Sequence, residues 1–152
     1  MTICGIDPGL TMTGVALYDT KTGKFLDIYA IGGPKGMDLW GKCRTISDGV
    51  YGYVQMYKPD LLAIESNYVA NAGSALKQAK LIGFIAARWQ GKIVEVAPTS
   101  GKKALTGSGK AGKGDMVDAA MEHMMIADLN KQCREAVADA MGVCLAAAEG
   151  LK

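Results

Sequence analysis

Apolar positions along this chain switch between two periods. Residues 2–7 (TICGID) and 14–19 (GVALYD) are short, nearly continuous apolar runs, and KFLDIYAI (24–31) follows a turn containing Thr22-Gly23; all three read as strands. Gly-Pro-Lys-Gly at 33–36 punctuates the pattern, and from Met37 to Tyr57 the spacing of Leu39, Ile46, Val50, Tyr53, Val54 and Tyr57 becomes helical. LLAIE (61–65) is a continuously apolar strand of the kind buried on both faces. A helix over 72–90 follows, in which Ala75, Ala79, Gly83 and Ala87 form a stripe of small side chains against which the sheet or a second subunit could pack. KIVEVA (92–97) is a fifth strand, ended by Pro98. The glycine-rich, basic stretch GSGKAGKGD (107–115) predicts a mobile loop, Asp115 opens a helix to about Asp128, and residues 132–148 form the last helix.

Strands and helices in that order describe one α/β domain over residues 1–152, with a mixed five-stranded sheet flanked by helices. Composition narrows the class. Apolar residues make up 49% and charged residues 21% of the 152, the balance of a globular protein. No apolar run reaches the roughly 18 residues that would span a membrane, and no signal-type segment precedes the first strand, so the expected location is cytoplasmic. Cys4, Cys43, Cys133 and Cys144 form no Cys-x-x-Cys pair, and His123 is the single histidine. Structural zinc and a disulfide framework are therefore not expected.

Charge is unevenly placed. Residues 76–113 carry eight basic side chains and one acidic, while the whole chain is only +2. A basic segment within a nearly neutral protein points to a polyanionic partner.

Isolated carboxylates at the ends of apolar runs are the most informative feature. Asp7 ends the first run, Glu65 ends LLAI, and Asp139 is the only charge among the thirteen residues of AVADAMGVCLAAA (136–148). Burying an ionised carboxylate unpaired costs several kcal/mol, so each needs a compensating partner. Turn capping, a salt bridge or strand-end solvation could explain any one of them; a shared divalent cation would explain all three. Oxygen-only ligands suit Mg²⁺ or Mn²⁺. Glu135 adds a fourth acid one helical turn before Asp139 and on the same face.

With these residues in view the chain resembles the RuvC-type Holliday-junction resolvases of the RNase H-like (retroviral-integrase) nuclease superfamily. The matching segments are GIDPGLTMTGVAL, AIESNYVANAGSALKQAKLIG, APTSGKKALTGSGKAGKGDMV and EAVADAMGVCLAAA, in order along nearly the whole chain. Its short, divergent form looks more like a phage or prophage version than a housekeeping one.

The resemblance implies an RNase H-like sheet, metal-dependent resolution of four-way DNA junctions by paired nicks, and Asp7, Glu65 and Asp139 as metal ligands. The family pattern places another acid or a histidine three residues before the last acid; here that residue is Ala136, and Glu135 is the nearest substitute. Two cations about 4 Å apart would activate water and stabilise the leaving oxygen. Lys102 and Lys113 match two lysines that the family brings near the scissile phosphate, with Lys103 and Lys110 as adjacent candidates. Tyr68 stands where the family carries an aromatic that stacks on unpaired bases, and Asn67, Asn71 and Ser74 are candidate backbone contacts. The two-fold symmetry of a junction calls for a homodimer.

Two other enzymatic readings and one non-catalytic reading stay open on the sequence. DPGLTMTG also fits the phosphate loop of actin- and sugar-kinase-like ATPases, although those need two such domains to enclose a nucleotide. An RNase H-like nuclease acting on RNA–DNA hybrids or RNA precursors shares the motif set. The Ala136 departure would also suit a non-catalytic junction-binding protein.

Overall fold

A computed structural model describes residues 1–66 and 71–151. Strands β1 (Thr2–Asp7), β2 (Thr13–Asp19), β3 (Lys24–Ile31), β4 (Leu61–Glu65) and β5 (Lys92–Val96) form one sheet in the order β3-β2-β1-β4-β5. β1 runs antiparallel to β2, and β2 to β3, whereas β1–β4 and β4–β5 are parallel. The first three strands are joined by short turns. Each parallel neighbour instead requires a crossover, supplied by helices α1 (Leu39–Tyr57) and α2 (Ala72–Ala86). No helix of the described residues is long and apolar enough to cross a membrane.

Strand pleating sorts the core into two layers. Ile3, Ala16, Leu61, Ala63 and Val96 face α5 (Lys131–Glu149), together with α3 (Pro98–Thr106) and α4 (Lys113–Met121). Cys4, Ile6, Val15, Leu17, Leu62 and Ile64 face α1 and α2, meeting Ile46, Val50, Leu81 and Ile85.

The α5 layer is built on close approach. A Cβ on Gly14 would stand 2.0 Å from the Ala136 carbonyl oxygen, and one on Gly5 would stand 2.5 Å from both the Ala140 oxygen and the Cys144 sulfur. Ala136, Ala140 and Cys144 recur every four residues, so one narrow seam of α5 lies against the glycines of β1 and β2. Gly101 of α3 meets Gly142 of α5 in the same way: a Cβ on Gly142 would come within 2.7 Å of the Gly101 oxygen.

That contact explains the largest departure from the sequence reading, which placed no helix between Pro98 and the glycine-rich stretch. Pro98 stands at the start of α3, where its missing N–H costs nothing, and Gly101 serves helix packing rather than chain reversal. The glycine-rich stretch is also shorter than expected. Gly107, at φ 81°, terminates α3, Ala111 is buried, and α4 begins at Lys113, where the Asp115 carboxylate accepts from the Gly112 N–H at 2.8 Å. The helix expected to reach Asp128 ends at Met121, and α2 ends at Ala86 instead of residue 90.

The small-residue stripe of α2 turns away from the sheet. Leu81 and Ile85 are the buried residues of that helix, Ala79, Gly83 and Ala87 are exposed, and a Cβ on Gly83 would meet nothing within 4 Å.

Candidate active site

The period of two that buries Ile3 and Gly5 toward α5 carries Asp7 to the same side, and Leu61 and Ala63 do the same for Glu65. Ile3 pairs with Leu61 and Gly5 with Ala63, so one more step of the register sets Asp7 and Glu65 side by side. Both stand at the carboxyl ends of parallel strands. The seam of α5 that touches Gly5 and Gly14 then brings Asp139 over them.

The electrostatics of the three acids follow from this placement. Burial pushes the Asp7 carboxyl well above the usual range, and repulsion from Glu65 and Asp139 adds to it, against a smaller opposing pull from Lys113. Glu65 is pushed up to about 7 by burial and then by Asp139, with Lys102 opposing. Asp139 is raised by burial first; Lys102 and Lys113 pull it back and Glu135 pushes it further. Compensation for the three acids thus comes partly from lysines of α3 and α4, a source no reading along α5 alone could supply.

The turn after Asp7 is pinned from two sides. Gln78 of α2 donates its side-chain N–H to the Pro8 carbonyl at 2.7 Å. The fully buried Thr13 hydroxyl donates to the Gly9 carbonyl at 2.8 Å and accepts the Gly9 N–H at 3.1 Å. Pro8 and Gly9 do redirect the chain, and the turn holds the acid in place.

A cleft of about 500 Å³ opens beside Asp7 and Asp139, bordered by Glu135, Lys113, Lys77 and Ser74. Glu135 accepts from the Lys113 ammonium at 3.2 Å and lies 4.0 Å from that of Lys131. Glu65 borders an adjoining hollow with Ser66, Ala79 and Glu95.

The structure therefore brings Asp7, Glu65, Glu135, Asp139, Lys102 and Lys113 together. It places Lys103 on the exposed side of α3 and Lys110 beside Asp115, Asp118 and Glu122, in a different hollow. Asn71 is a helix cap, its side-chain oxygen accepting from the Gly73 and Ser74 N–H groups. Tyr68 and Asn67 lie outside the described residues. Lys77 and Gln78 went unnoticed in the sequence, where a lysine and a glutamine in an amphipathic helix carry no signal; the buried hydroxyl of Thr13 four residues after Gly9 was the one available clue.

Asp7, Glu65 and Asp139 are partly buried and make no hydrogen bond or ion pair among the described residues, which leaves their oxygens opposed by the charges of Lys102 and Lys113 alone. That donor set fits a hard divalent cation. Among the described residues no three acidic, histidine or cysteine side chains stand close enough together, as placed, to hold a metal ion.

A family model, Crossover junction endodeoxyribonuclease RuvC, matches residues 3–147. The chain belongs to the RuvC family. A curated RuvC of Prochlorococcus marinus (strain MIT 9303) is 31% identical over 151 residues, spanning 95% of this chain and 96% of its own. Among solved structures, RuvC of Thermus thermophilus matches with a TM-score of 0.79 at 19% identity, covering 99% of this chain and 96% of the other. The same protein in complex with a Holliday junction substrate also gives 0.79, at 17% identity over 99% and 95% of the two chains. At those identities the structural matches establish the RuvC fold, a mixed five-stranded sheet flanked by helices. Against the RuvC pattern Ala136 remains the departure, and Glu135 supplies the acid at that end of the cleft.

Proposed function

We propose that this chain, as one nuclease domain, is a crossover junction endodeoxyribonuclease that resolves four-way DNA junctions by phosphodiester hydrolysis. The observation that carries the reading is the meeting of Asp7, Glu65 and Asp139 at one end of the sheet, beside a lysine-flanked cleft, in a chain of the RuvC family. The relative whose solved complex contains a Holliday junction supports the substrate class.

RuvC-family nucleases are metal-dependent, and here Asp7, Glu65 and Asp139 would hold the ion, Mg²⁺ or Mn²⁺, in a pair per site. Held by these carboxylates, the ions would supply polarisation of the phosphate and a lowered pKa for an attacking water. The chain's own groups do the rest. Lys102 and Lys113 present positive charge to the scissile phosphate and to the charge that develops on it. Glu135 anchors Lys113 in the cleft, and with Asp7, Glu65 and Asp139 it would be a fourth carboxylate available to the ions. The bonds to Pro8 and Gly9 keep Asp7 from swinging with the turn. Tyr68 remains the candidate for stacking on unpaired bases.

Paired cuts in opposite strands need two such sites, so the working unit is a cytoplasmic homodimer. The exposed stripe of Ala79 and Gly83, flanked by Leu76 at 61% exposure, supports α2 as the meeting surface.

Cleavage of a synthetic four-way junction, a linear duplex and an RNA–DNA hybrid, each with Mg²⁺ or EDTA, tests the proposal. Paired, metal-dependent nicks in the junction alone are expected. Preference for the hybrid would transfer the chain to another nuclease activity, and binding without cutting would make it a junction-binding protein.

A further inference from the structure

The cleft does not end at its lysines. The carbonyl of Leu10, which lines it, accepts the Gly33 N–H at 3.2 Å, and a Cβ on Gly33 would touch the Lys42 side chain at 2.9 Å. Beyond Lys42, at the start of α1, Trp40 is 46% exposed. Its indole ring lies under the Lys80 ammonium, 4.9 Å from the ring centre, and packs beside Phe84 at 6.2 Å between centroids. Arg44 stands one helical turn along α1 from Trp40, the residue whose ring Lys80 covers. Two acids flank this stretch of α1: Asp38 caps the helix through the Gly41 N–H, and Asp48, one turn beyond Arg44, is paired with Arg88. The Trp40 indole N–H has no acceptor among the described residues.

We infer that Trp40, Arg44 and Lys80 form a second DNA surface, one turn of α2 from the Lys77 that lines the cleft, and that it grips the backbone of a junction arm away from the cut. The inference rests on the proposed junction-cleaving function and extends it. Cations around an exposed aromatic are suited to phosphates, with the indole lying against deoxyribose and its free N–H directed at a phosphate oxygen. Charge decides against the main alternative, a second copy of this chain. Two copies meeting here across a two-fold axis would bring identical lysines and arginines face to face.

The test uses the full-length protein in EDTA, with binding followed by fluorescence anisotropy on four-way junctions with long arms and with arms trimmed to the junction centre. Arg44→Gln with Lys80→Gln should weaken long-arm binding about tenfold. It should also flatten the dependence of log affinity on log salt by about 2, at roughly 0.9 per phosphate lost. Trp40→Ala should act in the same direction, and Trp40→Phe should recover part of the loss. Binding to the trimmed junction should stay at the wild-type value.

Equal losses on both substrates, or none, would overturn the inference. So would a shift from dimer to monomer in sedimentation velocity, because the patch would then be a subunit contact. If the wild-type protein itself ignores four-way junctions, the functional proposal fails; if it binds them and the variants match it, only the arm surface is lost.

Discussion

The two faces of the sheet solve the same packing problem with opposite materials. Toward α1 and α2 the strands present Ile6, Leu17, Leu62 and Ile64, and the helices answer with Ile46 and Leu81, all large side chains that interdigitate. Toward α5, along the central seam, they present Gly5 and Gly14, flanked by Ile3 and Leu61, and the helix answers with Ala136, Ala140 and Cys144. At that seam backbone lies almost on backbone, so the position of α5 over β1 and β2 is fixed by steric contact at Gly5 and Gly14. All the acids of the candidate site belong to this second face, where Asp139 can be set over Asp7 and Glu65. A large-residue interface would hold the helix farther away and let it slide.

Asp7→Asn gives the largest expected effect. It should cut metal-dependent junction cleavage by about 10³-fold or more, several kcal/mol of lost activation, while junction binding in EDTA stays near wild type. Retained cleavage at the wild-type rate would remove Asp7 from the chemistry. Gly14→Ala comes next and tests the packing itself. Its methyl would sit 2.0 Å from the Ala136 oxygen, so thermal or urea unfolding should show a loss of about 3 kcal/mol and cleavage should fall with the displaced helix. An unchanged melting temperature would mean the seam is looser than drawn.

Glu65→Gln sharpens the electrostatic side of the comparison. Burial and then Asp139 push the Glu65 carboxyl up to about 7 from an ordinary 4.5, so the native state holds its proton more tightly than the unfolded chain. Stability from this group is full below about pH 4.5 and is lost as pH rises through 7. Without divalent metal, the variant should therefore be about 1–3 kcal/mol more stable than wild type at pH 8 and indistinguishable at pH 4. Equal stability at both values would separate Glu65 from its neighbours. The smallest effect has the opposite sign from Gly14→Ala. Gly52 lies in α1, where a Cβ would meet nothing within 4 Å, so Gly52→Ala should raise stability by about 0.5–1 kcal/mol in the same unfolding assay.

Strand boundaries were legible because each strand is an uninterrupted apolar run cut off by a charge or turn residue: residues 2–7, 24–31 and 61–65 match the structure. The short helix α3 was not legible. Gly101 and two adjacent lysines look like a turn, and they form a helix because Gly142 of a distant segment accepts them closely. Asp7, Glu65 and Asp139 stood out since a lone carboxylate in an apolar run has to be compensated somewhere. Lys103 and Lys110 looked equivalent to Lys102 and Lys113 in the sequence, and only the orientation of α3 and the early start of α4 separate them.

The sequence by itself determined the strands, the helical face of α5 and which acids would be costly to bury, because period and local composition act over a few residues. Which side of the sheet those acids share was decided by pairing β1 with β4 in parallel register. Which lysines oppose them was decided by how closely α3 and α5 approach through Gly101 and Gly142. Both depend on contacts between residues far apart in the chain, and these form only when the whole sheet is assembled.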